Sequence, residues 1–100
     1  NQLLKNIEIW NDFSDEIINK LDSPIKSSLE ILEISELISE KLEIYQQIYL
    51  VNLIQNIWWR KTKNIDVVKK LENLKYLLKQ KIQPRLAWEV TFLKISMQHT

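Results

Sequence analysis

There is no glycine anywhere in these 100 residues, and the only prolines are Pro24 and Pro84. A sheet built from tight hairpins needs residues that accept positive φ, and a phosphate-cradling loop needs glycine for close backbone approach. Both are excluded in their usual forms, and a helical chain is what remains. Cysteine is also absent, so there is no disulfide framework and no thiolate metal site, in keeping with a reducing, cytoplasmic setting. No apolar run approaches the ~20 residues of a membrane span, and no signal-peptide pattern opens the chain. One domain is the prior for this length, burying about 65% of the surface of its unfolded chain. The chain opens at Asn1 and its one methionine is Met97, so residues 1–100 are expected to form a single helical domain at the C-terminal end of a longer protein.

Hydrophobic periodicity divides the chain into five to six helices. Leu3, Leu4, Ile7 and Trp10 place a first short helix over Gln2 to about Trp10. Ser14 is placed to cap a second, with Asp15 and Glu16 in its first turn, where the helix dipole favours acids. This helix must end before Asp22-Ser23-Pro24, because a residue preceding proline is pushed out of the α region. Ser27 or Ser28 caps a third helix carrying Leu29, Ile31, Leu32, Leu37 and Ile38, with a break near Ser39 to Leu42. The fourth, about Glu43 to Lys61, is apolar nearly all round and is expected to be buried on several sides. The fifth, about Asp66 to Ile82, has one clean stripe of Val67, Leu71, Leu74, Leu78 and Ile82. Its lysines, Lys75 among them, are read as a solvated face.

Pro84 occupies a first helical position, where its missing N–H is no loss. The helix that follows is apolar on two opposite faces. Leu86, Val90, Leu93 and Met97 form one stripe, expected to face the core. Trp88, Phe92 and Ile95 form the other, half a turn away, expected to be covered by another helix of this domain or by a neighbouring subunit, the neighbour being favoured for at least part of it. Trp58 and Trp59 are adjacent and point about 100° apart, so one fills the core while the other anchors a contact elsewhere. Arg60 follows them. Arg85 lies in the first turn of its helix, where a cation is unfavourable, and so should answer a carboxylate or a neighbouring chain's carbonyls. Trp58, Trp59, Arg60, Arg85, Trp88, Phe92 and Ile95 together make the expected subunit interface.

The net charge of +1 conceals an asymmetry. Residues 1–50 carry four lysines against ten acids, a balance of −6, and residues 51–100 carry ten Lys/Arg against three acids, a balance of +7. The halves can attract each other within one fold, meet between subunits, or leave the basic half to contact nucleic acid. Nothing in the sequence marks a catalytic, cofactor or metal site. There is no HExxH pair, Walker A loop or nucleophile elbow, and the sole histidine, His99, lies next to the last residue.

The string Gln83-Pro84-Arg85-Leu86-Ala87-Trp88-Glu89-Val90 resembles the last helix of bacterial DNA polymerase III clamp-loader subunits, where an "(N)PRLALE" pattern is followed by leucines. Tyr45-Gln46-Gln47-Ile48-Tyr49-Leu50-Val51, running into Gln55-Asn56-Ile57-Trp58-Trp59-Arg60, is similar to the long middle helix of the same domain. The order of elements also matches, over roughly Ile7 to Ile95. Within the family the delta prime subunits are nearest and the gamma/tau subunits next. Trp88 is a departure, since the family pattern often has leucine there. The resemblance implies an all-α collar domain that is non-catalytic, needs no cofactor and holds clamp-loader subunits in a hetero-oligomeric ring for loading the sliding clamp. It implies other clamp-loader subunits as partners, with no direct nucleic-acid contact and no membrane. A nucleic-acid-binding domain using the basic half and an unrelated helical adaptor are the rival readings.

Overall fold

The computed structural model describes residues 15, 17, 19–81 and 83–98. Among the described residues there are four helices and no strand: α1 (Ser28–Lys41), α2 (Ile44–Thr62), α3 (Ile65–Lys79) and α4 (Pro84–Gln98). Four replaces the expected five to six. The helix expected over Gln2 to Trp10 and the Ser14 cap lie outside the described residues. Asp15, Ile17, Asn19 and Lys20 are helical where the second short helix is predicted, and the chain turns at Leu21 ahead of Pro24.

Local chemistry sets each boundary. Ser27 is the N-cap of α1, its Oγ accepting from the Glu30 N–H at 3.4 Å. Leu42 closes α1 in an extended conformation, inside the predicted break. Glu43 begins α2, its own N–H donating to Gln46 Oε1 at 2.9 Å, which satisfies a donor that the first turn would otherwise leave open. With no glycine available, α2 ends on Lys63 in the left-handed region (φ 52°), and Lys81 (φ 57°) and Gln83 (φ 40°) make the turn between α3 and α4 in the same way. A side chain in this region crowds its own carbonyl. The left-handed residue at Lys81 also explains why α3 stops at Lys79, short of the predicted Ile82. Asn64 then caps α3 by accepting from the Asp66 N–H at 2.9 Å.

Helix α3 packs against both α2 and α4, and α1 packs against α4. The core gathers Ile31, Ile34 and Ile38 of α1, Leu50, Val51, Ile54 and Trp58 of α2, Val67, Leu71, Leu74 and Leu78 of α3, and Trp88, Phe92 and Ile95 of α4. The predicted stripe of α3 is thus core at Val67, Leu71, Leu74 and Leu78, while Ile82 lies outside the described residues. Before α1, Ile17 and Leu21 are also fully buried, and the Leu21 carbonyl accepts a 2.7 Å hydrogen bond from Trp58 Nε1.

Candidate partner-docking surfaces

Helix α4 is the reverse of its predicted orientation. Trp88 is 0% exposed and Phe92 and Ile95 are 1% exposed, whereas Leu86 is 50% and Val90 37% exposed, with Met97 also outside and Leu93 half-buried. The aromatic stripe faces the domain and the Leu86–Val90–Met97 stripe faces out. The reason is the chemistry of the indoles as much as their size. Trp88 Nε1 donates to Gln47 Oε1 at 2.9 Å, and Gln47 Nε2 donates to the Leu42 carbonyl at 2.9 Å, so one buried glutamine satisfies both Trp88 and the backbone at the α1–α2 break. Phe92 sits between the two tryptophans, its ring centroid 5.6 Å from Trp58 and 5.3 Å from Trp88, both at tilted angles favoured by ring quadrupoles. Each indole therefore has both apolar neighbours and a partner for its N–H, which a leucine face does not require.

The expected interface set separates accordingly. Trp58, Trp88, Phe92 and Ile95 are core residues in this domain. Trp59, Arg60 and Arg85 are exposed. Trp59 and Arg60 lie near the end of α2, with Lys63 Nζ 5.4 Å from the Trp59 ring. Arg85 lies one turn before Trp88, whose partner Gln47 is near the start of α2, so the three residues do not share one place. Arg85 does find the carboxylates its helix position calls for. Its Nε donates to Glu89 Oε1 at 2.9 Å, and Nη2 lies 3.9 Å from Glu36 on α1. The hydrogen bond to Glu89, then the charge of Glu36, raises the guanidinium pKa further above its ordinary value.

Three outer surfaces are distinctive. The first is the exposed stripe of α4, continuous at Val90 with a groove of about 360 Å³ between α3 and α4. Leu77 and Val90 give this groove an apolar lining, and Lys69, Lys70 and Lys94 give it three positive charges, with Asp66 at the same wall. The second is the outward face of α1, where Leu29, Glu33, Glu36 and Glu40 follow one another at helical spacing and all are exposed, with Leu32 beside them. The third is the outer face of α2. No charged residue occurs from Ile44 to Trp59, and Tyr45, Tyr49, Asn52 and Asn56 are exposed along it. Helix α2 is buried at Gln47, Leu50, Val51, Ile54 and Trp58 and open to solvent on this face.

Sequence periodicity missed the first surface because both faces of α4 are apolar. The pointers were Val90 among lysines on two helices, visible only once α3 and α4 are paired. Lys75 also departs from its predicted solvated role. Its side chain is only 17% exposed, and its Nζ reaches Asn52 Oδ1 and Glu72 Oε2, both at 2.8 Å. Gln55 Nε2 donates to the same Glu72 oxygen at 2.9 Å. The hydrogen bond from Lys75, followed by that from Gln55, lowers the Glu72 carboxyl pKa below its ordinary value. No group of His, Asp or Glu residues among the described residues is arranged to hold a metal ion, and no described helix is long and apolar enough to cross a membrane.

No curated protein and no solved structure matches the chain. Residues 1–95 match the family model for the cyanobacterial DNA polymerase III delta prime C-terminal domain. That match spans the buried Trp58–Phe92–Trp88 cluster and the outward stripe of α4 up to Leu93, and agrees with the resemblance carried by Gln83–Val90. The chain belongs to the DNA polymerase III delta prime C-terminal domain family.

Proposed function

We propose that this domain is the non-catalytic collar of a clamp loader, joining its subunit to other clamp-loader subunits in the ring that loads the sliding clamp during DNA replication. The observation that carries this reading is the outward stripe of α4 in a domain of the delta prime family. Leu86 and Val90 are exposed although the same helix has a complete buried face of its own. A contiguous apolar patch on a small domain marks a binding surface. The domain then acts by geometry. It fixes the position of its subunit relative to the next, so that the domains elsewhere in the holoenzyme work together in the cytoplasm without any chemistry here.

Family membership sets aside the unrelated adaptor. Direct DNA binding is disfavoured by the surface itself. The three groove lysines share their walls with Leu77, Val90 and Asp66, whereas a nucleic-acid footprint clusters its cations on one face. The test is assembly of the full-length protein, with and without residues 15–98, mixed with the other subunits of its clamp loader and followed by sedimentation velocity. Loss of the assembled species on deletion is expected. Undiminished assembly, or salt-sensitive DNA binding that disappears with the deletion, would overturn the reading.

A further inference from the structure

The α3–α4 groove has a chemistry that specifies its occupant more narrowly than "another subunit". Its lining is apolar at Leu77 and Val90, and Leu86 extends the apolar strip one turn along α4. Its charged rim is Lys69 and Lys70 on one wall and Lys94 on the other, opposed only by Asp66. A groove of this form fits an amphipathic helix whose exposed leucines enter it and whose flanking carboxylates reach the lysines. The same chain displays a ridge of that complementary kind on α1, where Leu29 and Leu32 stand beside Glu33 and Glu40, with Glu36 between them drawn to Arg85 of its own domain. Ridge and groove are different surfaces of one domain, which is the arrangement head-to-tail contacts in a ring require, each subunit offering one surface and accepting the other.

Resting on the collar reading, we propose that the lysine-rimmed groove between α3 and α4 docks an acidic, leucine-bearing helix of the adjacent clamp-loader subunit, chemically of the kind that α1 presents. The attraction between lysine rim and acidic ridge steers encounter and fixes register, while the apolar strip supplies contact area. The charge split of the sequence then has a use between subunits. The basic half provides the acceptor and the acidic half the ridge.

The experiment uses the full-length protein with the other subunits of its clamp loader. Lys94 is replaced by the photo-crosslinking residue p-benzoylphenylalanine, and the crosslinked peptide is mapped by mass spectrometry, with and without primed DNA. In parallel, the binding constant is measured for Lys69→Glu/Lys70→Glu/Lys94→Glu across a range of salt. The expected results are a crosslink to an acidic helix of a neighbouring subunit, and binding at least about tenfold weaker with a flatter salt dependence, as for a lost charge pairing. If the reversal lowers the thermal midpoint, the neutral Lys69→Gln/Lys70→Gln/Lys94→Gln set gives the same comparison in a folded protein. Wild-type affinity in a folded variant, or a crosslink to DNA or to a segment without acidic residues, would overturn the docking mode. Those outcomes leave the collar reading standing if deletion of residues 15–98 still abolishes assembly. Assembly that survives the deletion removes the collar reading itself.

Discussion

The two faces of α4 are both apolar, yet one is core and the other is surface. Ala87, Trp88, Thr91, Phe92 and Ile95 point inward, while Leu86, Val90 and Met97 point outward. By periodicity the two stripes are nearly equivalent. What separates them is the set of partners that the rest of the chain offers. Burying a tryptophan removes 150–250 Å² from water, but only if its N–H is satisfied, and Gln47 supplies that acceptor while also capping the Leu42 carbonyl. No such demand attaches to Leu86 or Val90, so exposing them costs apolar burial alone. A small domain can accept that cost when a partner covers the stripe.

The largest effect is expected on the inward face. Trp88→Ala should destabilise the domain by about 3–5 kcal/mol, the range for truncating a large buried aromatic, whereas Leu86→Ala should stay within ~0.5 kcal/mol, as at ordinary surface sites. Urea unfolding of both variants checks this, and similar midpoints for the two would break the distinction between the faces.

Gln47 is the hinge of the same comparison. Gln47→Ala leaves the Trp88 N–H and the Leu42 carbonyl without their partner, and should cost about 1–3 kcal/mol through unsatisfied buried polar groups. Hydrogen exchange of the Trp88 indole N–H should accelerate with it. A neutral Gln47→Ala would show that aromatic packing alone orients α4.

Much of the fold is legible in the sequence. The serine cap at Ser27 or Ser28 and the Pro84 start each rest on a local rule, and the stripe of α3 is single, whereas no glycine or proline marks the break that the structure places at Leu42. The orientation of α4 is not legible, because the residue that decides it lies 41 positions away on α2. The position of Lys75 is hidden for the same reason: Asn52, its α2 partner, is 23 positions distant. The groove is harder still to read, since its lysines look like solvent-facing charges until α3 and α4 are laid side by side. Which of Trp58 and Trp59 is core is likewise not legible, and it is Trp58 that the Leu21 carbonyl and Phe92 hold inside.

Smaller effects sharpen the contrast between inside and outside on α3. Lys75→Ala, which removes a bridge to Asn52 and Glu72, should cost about 0.5–1 kcal/mol, and Lys79→Ala less than ~0.5 kcal/mol. Equal effects in parallel denaturant titrations would return Lys75 to the solvated face.

The smallest effect is that of pH on Glu72. A carboxylate whose folded-state pKa lies below its unfolded value adds stability that is present above the ordinary carboxylate range and is lost as pH falls through the lowered value. Glu72 is largely exposed, so solvent screening limits the contribution to under about 0.5 kcal/mol. Comparing Glu72→Gln with the unmodified domain from neutral to acidic pH should show a small stability difference that fades on acidification. A difference that grows toward acid would contradict the direction of the shift.

The central claim is that one face of α4 folds the domain while the other assembles it. Its most direct measurement is the affinity of full-length Leu86→Ser/Val90→Ser for the other clamp-loader subunits, read beside the stability of the same variant. The account predicts an unfolding free energy within about 0.5–1 kcal/mol of the unmodified protein and association weakened by about tenfold or more, the scale of a lost interface hot spot. Unchanged association in a stably folded variant would contradict it.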